Sequence, residues 1–367
     1  MTPSKEASIY LILLLLALYV IAIYVNYIFL ESIDFNNIVH QPDYLIDAYM
    51  YMDLGNIIHS FSDNTSLFES ILSVTPNNSS IGVVAISSFM AALQLPFVLY
   101  PLVFIIVYSL LVIKIYNRGV VSNRVFFIFI PLLPYLFITS KESILLIAGL
   151  FFLLAISEVG KARKGLFYFI TLLFILSSRP ETLFIIVLSQ VMYYCFANRK
   201  WLFILLFVAL FFYYELDHFV NEIAYSFQEK QLGKVGQCSY FGISVCLERE
   251  NFDFLVYLKR LFLFLLIPFK YVASFVNFVN LDSNDLYVFI LRLINLITFF
   301  AYIALAIHFV RYFKKLSIVQ KRMFYFSMAY LIVYGTIFFY QGSRHMNVSI
   351  TVLLLIFSLK KGRPYNV

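Results

Sequence analysis

The sequence predicts an all-α, polytopic integral membrane protein with about ten transmembrane helices. Hydrophobic residues make up 62% of the 367 residues and charged residues only 13%, and the mean hydropathy is +0.88. A soluble protein of this length cannot bury so much apolar surface. The formal net charge of +7 comes from loop lysines and arginines of the kind that orient membrane proteins, so we expect no nucleic-acid partner.

The predicted spans are apolar segments whose lengths are close to that needed to cross a bilayer. They lie at 9–30, 96–116, 126–139, 143–159, 166–178, 183–197, 201–217, 286–310, 323–341 and 346–359. Several are short for a hydrocarbon core of about 30 Å. The first segment has no small-x-small cleavage site after it, so we expect it to remain as a span.

The charges of the loops predict that both termini lie in the cytoplasm. With Met1 inside, most of the 27 lysines and arginines fall on the inner side, beside only Glu6 and Glu158 of the 20 acidic residues. Counting either 81–95 or 254–278 as a span would invert this topology. We therefore predict interfacial or re-entrant helices there, on the outer side, although a pair of extra spans within 219–280 remains open.

The chain, residues 1–367, is predicted to form a single membrane domain with two outer elaborations. The first covers 31–95, and its part 31–80 contains no lysine or arginine. The second covers 218–285 and contains Cys238 and Cys246, which could form a disulfide if the loop is extracytoplasmic. We expect the cations of this loop, Arg260 among them, to be ordinary solvated residues. There is no Gly-rich phosphate loop and no cluster of metal-ligating residues, so we expect no cofactor and no metal.

Two short turns carry charges on the predicted outer side, against the positive-inside bias. One contains Lys141 and Glu142, and the other contains Arg179 and Glu181. A structural explanation stays open for both turns, because Thr139-x-x-Glu142 and Ser178-x-x-Glu181 match capping boxes. Another alternative is that the two cations only snorkel to ordinary phospholipid.

Further cations occur at or near the same predicted boundary. Arg344, followed by His345, lies in a third outer turn, and Arg292 falls inside a span. Cations that converge at an outer boundary suit a phosphate or pyrophosphate headgroup, which arginine binds through two parallel hydrogen bonds. A structural ion pair inside the bundle is the alternative for Arg292.

The acidic outer segment supplies a candidate base. A helix over 43–53 would put Asp43, Asp47 and Tyr51 on one stripe. An aspartate just beyond the first span, above a cationic patch, is placed to accept a hydroxyl proton at the lipid surface. Asp47 is therefore the candidate base and His345 a second one, whereas a solvated aspartate without a role is the simpler alternative.

Together these features resemble the GT-C class of polyprenol-dependent membrane glycosyltransferases. Within it, the chain is similar to bacterial repeat-unit polymerases of O-antigen and capsule, the Wzy class. The similarity lies in its length, its span number, its high Phe, Ile and Tyr content, one large late outer loop, and the stretches 131–142 and 178–182. An Arg-x10-Gly pattern found in some members is absent after Arg179 and Arg344, so residue roles are not transferred from those members.

The resemblance implies polymerisation of undecaprenyl-pyrophosphate-linked repeat units into O-antigen or capsular polysaccharide, at the periplasmic face of the bacterial inner membrane. A flippase and a chain-length regulator are the implied protein partners. Metal-independent glycosyl transfer would use catalytic and substrate-contacting residues from the outer side. The catalytic residues would be Asp47, Arg179 and Arg344, and the substrate contacts Lys141, Glu142, Glu181, Arg292, His345 and Tyr51.

Three other functions remain open at the level of the sequence. The first is a GT-C enzyme that takes its sugar from a polyprenyl-monophosphate donor, since such an enzyme also needs a phosphate clamp and a base. The second is a transporter or flippase for lipid-linked oligosaccharides, although such proteins usually show repeats and charges near the midplane. The third is a structural or assembly subunit.

Overall fold

The computed structural model of the chain describes residues 20, 81–95, 99–122, 141–197, 220–226, 228–229, 239–240, 243–247, 253–276, 286–337 and 343–359. Most of these residues are helical, which confirms the predicted all-α character. The helices are α1 (Ile81–Ala92), α2 (Tyr100–Asn117), α3 (Lys141–Ser157), α4 (Lys161–Ser178), α5 (Glu181–Ala197), α6 (Phe254–Val276), α7 (Leu286–Tyr312), α8 (Ile318–Thr336) and α9 (Ser343–Ser358). Two short strands, β1 (Ser239–Tyr240) and β2 (Ile243–Ser244), pair antiparallel.

Each predicted span that falls on described residues coincides with a helix, from α2 to α5 and from α7 to α9. Two helices begin five residues before the predicted spans, at Lys161 and Ile318, because the apolar criterion leaves out a polar first turn. The predicted outer segments 81–95 and 254–278 contain α1 and α6. The predicted spans 126–139 and 201–217 lie outside the described residues, as does 9–30 apart from Val20.

The described helices differ in how well they fit a bilayer. The stretch Leu296–Lys315 is the one among them with both the length and the apolar composition of a transmembrane helix. Shorter apolar helices cover Ile81–Ala92, Leu102–Asn117, Glu181–Phe196 and Val348–Ser358. The number of spans therefore stays a prediction.

The chain divides into two compact units. The first comprises Met1–Leu183, Asp282–Ile294 and Phe357–Val367, and the second comprises Phe184–Leu281 and Asn295–Ile356. The single domain over 1–367 was predicted from composition and stays a prediction.

An antiparallel hairpin of α3 and α4 forms the centre of the first unit. The Thr171 hydroxyl approaches the carbonyl of Ala148 at 3.4 Å, and the rings of Phe151 and Phe174 stack with their centroids 5.9 Å apart. The helices α1 and α2 pack against this hairpin. The close-packed hairpin fixes the ends of α3 and α4 relative to each other.

Antiparallel pairing also organises the second unit. Ser327 of α8 and Ser349 of α9 share a hydrogen bond between their hydroxyls, and Gln320 donates to the carbonyl of Ile356 at 3.2 Å. The helix α8 also contacts α6 at Gly335, where an added Cβ would lie 2.9 Å from Cδ1 of Leu261. A larger residue there would require the side chains of Leu261 and Phe264 to shift.

Candidate functional site

The charged turn at 178–182 is short because α4 ends at Ser178 and α5 begins at Glu181. The amide of Arg179 donates to the carbonyl of Ile175 at 2.8 Å and closes α4. The amide of Thr182 then donates to the carbonyl of Arg179 at 2.9 Å, which starts the next helix. Arg179 is therefore held by backbone hydrogen bonds on both sides of the turn.

The two charged turns meet, as the hairpin geometry requires. One terminal nitrogen of the Arg179 guanidinium lies 2.5 Å from a carboxylate oxygen of Glu142, at the start of α3. The other terminal nitrogen lies 3.3 Å from a carboxylate oxygen of Glu181. We call Glu142, Arg179 and Glu181 the outer triad, after the side of the membrane predicted for them.

The two carboxylates of the outer triad differ in burial. The side chains of Arg179 and Glu142 are 6% and 4% exposed, whereas that of Glu181 is 23% exposed. The shorter and more buried contact fixes the guanidinium through Glu142. Glu181, at the longer distance and closer to solvent, is the partner more easily displaced by a ligand.

Helix dipoles favour every charge of the outer triad. Glu142 and Glu181 lie in the first turns of α3 and α5, and Arg179 follows the last residue of α4. Carboxylates are stabilised at helix N-termini and cations at C-termini. The sequence predicted the positions of these charges but not that the cation is already paired with two carboxylates.

The uncharged polar residues next to the triad residues in the sequence are also buried. Ser143, Ser178 and Thr182 are all nearly inaccessible. The hydroxyl of Ser178 donates to the carbonyl of Phe174 at 2.6 Å, so it closes α4 and does not form the predicted capping box with Glu181. The buried hydroxyl of Thr182 has no hydrogen-bond partner among the described residues. Neither Ser143 nor Thr182 was predicted to belong to the site.

Of the other predicted site residues, Lys141 is the one whose side chain the structure describes. Asp47 and Tyr51 lie outside the described residues. Arg344 and His345 lie in the first turn of α9, and Arg292 lies in α7, but the side chains of these three are not among those described. Lys141 is the first residue of α3, with a partly exposed side chain next to the buried Glu142. Of the predicted set, the structure brings together Glu142, Arg179 and Glu181.

Arg260 was predicted to be an ordinary solvated loop residue, and this is wrong. It is 2% exposed and lies on the buried face of α6. Its guanidinium donates to the carbonyl of Val245 at 2.9 Å, to the side chain of Gln228 and to the carbonyl of Thr336 at 3.4 Å. Burial lowers the pKa of Arg260 to about 10, which leaves it charged at neutral pH.

A periodic pattern in the sequence marks the buried position of Arg260. Val256, Tyr257, Leu263 and Phe264 are buried on the same face of α6, each three or four residues away from Arg260. The contacts of Arg260 are structural: they attach residues 228 and 245 to α6 and cap the carbonyl end of α8.

Cys246, beside Val245, is disulfide-bonded, and Cys195 is a free buried thiol. Cys238, the partner of Cys246 that the sequence suggests, lies outside the described residues.

No group of three or more metal-ligating side chains occurs within the described part of the chain. Comparison with known protein families, with characterised proteins and with solved structures finds no match for this chain. The outer triad is therefore interpreted from its own geometry.

Proposed function

We propose that the chain is a membrane-embedded glycosyltransferase that polymerises polyprenyl-pyrophosphate-linked repeat units at the outer face of a bacterial inner membrane. The observation that carries the proposal is the buried Arg179, held between Glu142 and Glu181 where the end of α4 meets the starts of the apolar helices α3 and α5. Undecaprenyl-pyrophosphate is the carrier implied by the resemblance in the sequence. O-antigen or capsular polysaccharide is the implied product.

Exposed apolar stripes on the helices support the membrane location. On α4, Leu166, Phe169, Leu173 and Leu176 are all exposed at helical spacing. On α7, Phe300, Ile303, Ile307 and Val310 form a second exposed stripe. Continuous apolar faces of this length are unfavourable in water and favourable in contact with lipid.

The distribution of charge along the first unit supports the predicted orientation. At one end, Arg118 pairs with Glu158 at 2.8 Å, and Lys161 and Arg163 lie close by at the start of α4. The outer triad lies at the opposite end of α3, about 25 Å away at 1.5 Å per residue. Cations concentrated at the first end are typical of a cytoplasmic boundary.

The chemistry assigned to the site is a displacement at the anomeric carbon of the donor. The hydroxyl oxygen of the acceptor forms the new bond, the bond from the anomeric carbon to the phosphate oxygen breaks, and the pyrophosphate leaves with the electron pair. The hydroxyl proton passes to a carboxylate, for which Asp47 is the predicted acceptor. Arg179 would stabilise the charge that develops on the leaving group, an effect of about 3 kcal/mol for one well-placed donor.

Pairing with the two carboxylates gives Arg179 a defined position before substrate arrives. A pyrophosphate oxygen is able to replace Glu181 on one edge of the guanidinium, while Glu142 keeps the other edge fixed. Preorganised donors of this kind contribute to catalysis because they need no rearrangement during the reaction.

The test uses purified full-length protein with a lipid-linked repeat unit as substrate. We expect a ladder of products, and we expect Arg179→Ala to lower the rate by about 100- to 1,000-fold. Arg163→Ala is the matched control, because Arg163 is exposed at the other end of the same helix. Full activity of Arg179→Ala at normal expression would remove this residue from the mechanism.

The product pattern of the same assay separates the remaining candidates. A single addition identifies a transferase that uses a polyprenyl-monophosphate donor and not a polymerase. In a deletion strain, repeat units that accumulate unpolymerised on the outer leaflet indicate the enzyme. Accumulation on the inner leaflet indicates a flippase.

A further inference from the structure

In the second unit, two neighbouring cations lie among aromatic rings. The guanidinium of Arg322 lies 5.2 Å from the ring centre of Tyr193 and 5.9 Å from that of Tyr194. The ammonium group of Lys321 lies 5.9 Å from the ring centre of Phe313. Tyr325 connects the two cations, because its ring contacts both Tyr193 and Phe313. We call these six residues the aromatic–cation cluster.

Arg322 uses little of its capacity to donate hydrogen bonds. It donates to the hydroxyl of Tyr194 at 3.3 Å, and it forms no ion pair with the described residues. Its Nε atom is buried and has no hydrogen-bond partner within the described part of the chain. A guanidinium stacked on rings and still rich in free donors is suited to a phosphate.

The protein offers few acids to neutralise this cluster. The sequence from 286 to 367 contains no aspartate or glutamate, and Arg311, Lys314 and Lys315 lie just before α8. Lys321 and Arg322 also occupy the first part of α8, where the helix dipole disfavours cations. Helix stability therefore does not explain their position, and an anionic partner from outside the chain would complement their charge.

The surroundings of the cluster fit a lipid surface. Tyr194 of the cluster is exposed, and so is Phe196 next to it. The ring of Phe196 stacks on that of Tyr325 with centroids 5.7 Å apart. The exposed apolar stripe of α7 ends close to it in sequence, at Val310. Tyrosines and cations at the end of an apolar face are typical of a membrane–water interface.

We propose that the aromatic–cation cluster binds the phosphodiester headgroup of an anionic phospholipid in the leaflet that the loop charges predict to face the cytoplasm. Arg322 donates to the phosphate oxygens, Lys321 adds a second charge, and the exposed rings of Tyr194 and Phe196 lie against the glycerol and upper acyl chain. The proposal rests on the membrane location assumed under the proposed function, but not on glycosyl transfer.

Native mass spectrometry of the purified full-length protein tests this proposal. The protein is mixed with equal amounts of phosphatidylglycerol and phosphatidylcholine that carry the same acyl chains. We expect preferential retention of phosphatidylglycerol, and a reduction of that preference by about five-fold in Arg322→Gln, as removal of one interfacial cation predicts. Arg322→Lys keeps the charge but loses the pair of parallel hydrogen-bond donors. Its preference for phosphatidylglycerol should lie between those of the unchanged protein and Arg322→Gln.

Arg311→Gln is the matched control, because Arg311 is an exposed arginine at the end of α7 and stacks on none of the described aromatic rings that hold Arg322 and Lys321. We expect it to change the preference by less than about two-fold. An equal reduction in both glutamine variants, or none in Arg322→Gln, would overturn the site. Protein that retains neither lipid and stays soluble without detergent would instead contradict the membrane location on which the proposed function depends.

Discussion

Buried guanidinium groups in this protein are held by two different kinds of acceptor. Arg179 lies between two carboxylates, and Arg260 donates to two carbonyls and a glutamine side chain. The charge of Arg260 serves several neutral acceptors at once, which is the use expected of a structural arginine. The carboxylates around Arg179 compensate its charge and leave one partly exposed partner that can exchange.

The difference between Glu142 and Glu181 predicts unequal effects on stability. Glu142→Gln removes the charge closest to a buried guanidinium, so we expect it to lower the free energy of unfolding by about 2–3 kcal/mol. Glu181→Gln makes the same chemical change at a longer, more exposed contact and should cost under about 1 kcal/mol. Thermal unfolding in detergent measures both variants. A larger loss for Glu181→Gln would contradict the assignment of Glu142 as the residue that positions Arg179.

At the level of the elements, close contacts at helix ends bring the functional residues together. The turn between α3 and α4 is closed at one end of the hairpin by Arg118 and Glu158. At the other end, α1 approaches α4 at Gly82, where an added Cβ would lie 2.6 Å from the Ser177 hydroxyl and 3.0 Å from the Ser177 carbonyl oxygen. This contact lies two residues before Arg179 and supports the end of α4.

Gly82→Ala is therefore expected to destabilise the packing of α1 on α4. The closest atoms include backbone, which cannot move as easily as the end of a side chain, so a loss of about 1–3 kcal/mol is expected. Gly149→Ala is the matched control, because a Cβ at Gly149 meets nothing within 4 Å. The control should be neutral or stabilising, since alanine is the better helix former. Equal melting temperatures for the two variants would show that α1 does not need this close approach.

The contact between Arg118 and Glu158 predicts a dependence on pH. The hydrogen bond from Arg118 is the main cause that lowers the pKa of Glu158, which lies in the turn after α3. A carboxyl group with a lowered pKa in the folded state stabilises the fold above its unfolded value, near 4.5, and this contribution is lost as the pH falls through the lowered value. Glu158→Gln should thus melt below the unchanged protein at pH 7, and the two melting temperatures should converge once the pH is below the lowered pKa of Glu158. A gap that persists at low pH would exclude this linkage.

At the scale of the whole molecule, the sequence predicts helices well and side-chain environments poorly. Apolar runs located α2 to α5 and α7 to α9, because helix formation in these segments depends on local composition. The pairing of Arg179 with Glu142 depends on which ends of α3 and α4 meet, a tertiary property that only the short loop at 158–160 suggests. The burial of Arg260 was not predicted, because a charged residue in a loop is usually solvated. The buried apolar residues three and four positions away from it are the signal that indicates burial.

The disulfide of Cys246 indicates on which side of the membrane this part of the second unit lies. Disulfides persist in oxidising compartments and are rare in the cytoplasm of bacteria. This is consistent with the outer location predicted for 218–285. Arg260 then attaches that outer segment to the carbonyl end of α8, while Lys321 and Arg322 lie at the opposite end of the same helix.

The proposed topology predicts opposite sides of the membrane for the two ends of α4 and of α8. Alkaline phosphatase, which is active only outside the cytoplasm, should be active when fused after Pro180 and inactive when fused after Gly160 or Leu316. The physical reason is the charge distribution: lysines and arginines cluster near 160 and 316, and cations resist translocation. A cytoplasmic reporter fused at the same three positions must give the reverse pattern. If the cytoplasmic reporter, and not alkaline phosphatase, is active when fused after Pro180, the outer triad faces the wrong side for a periplasmic substrate.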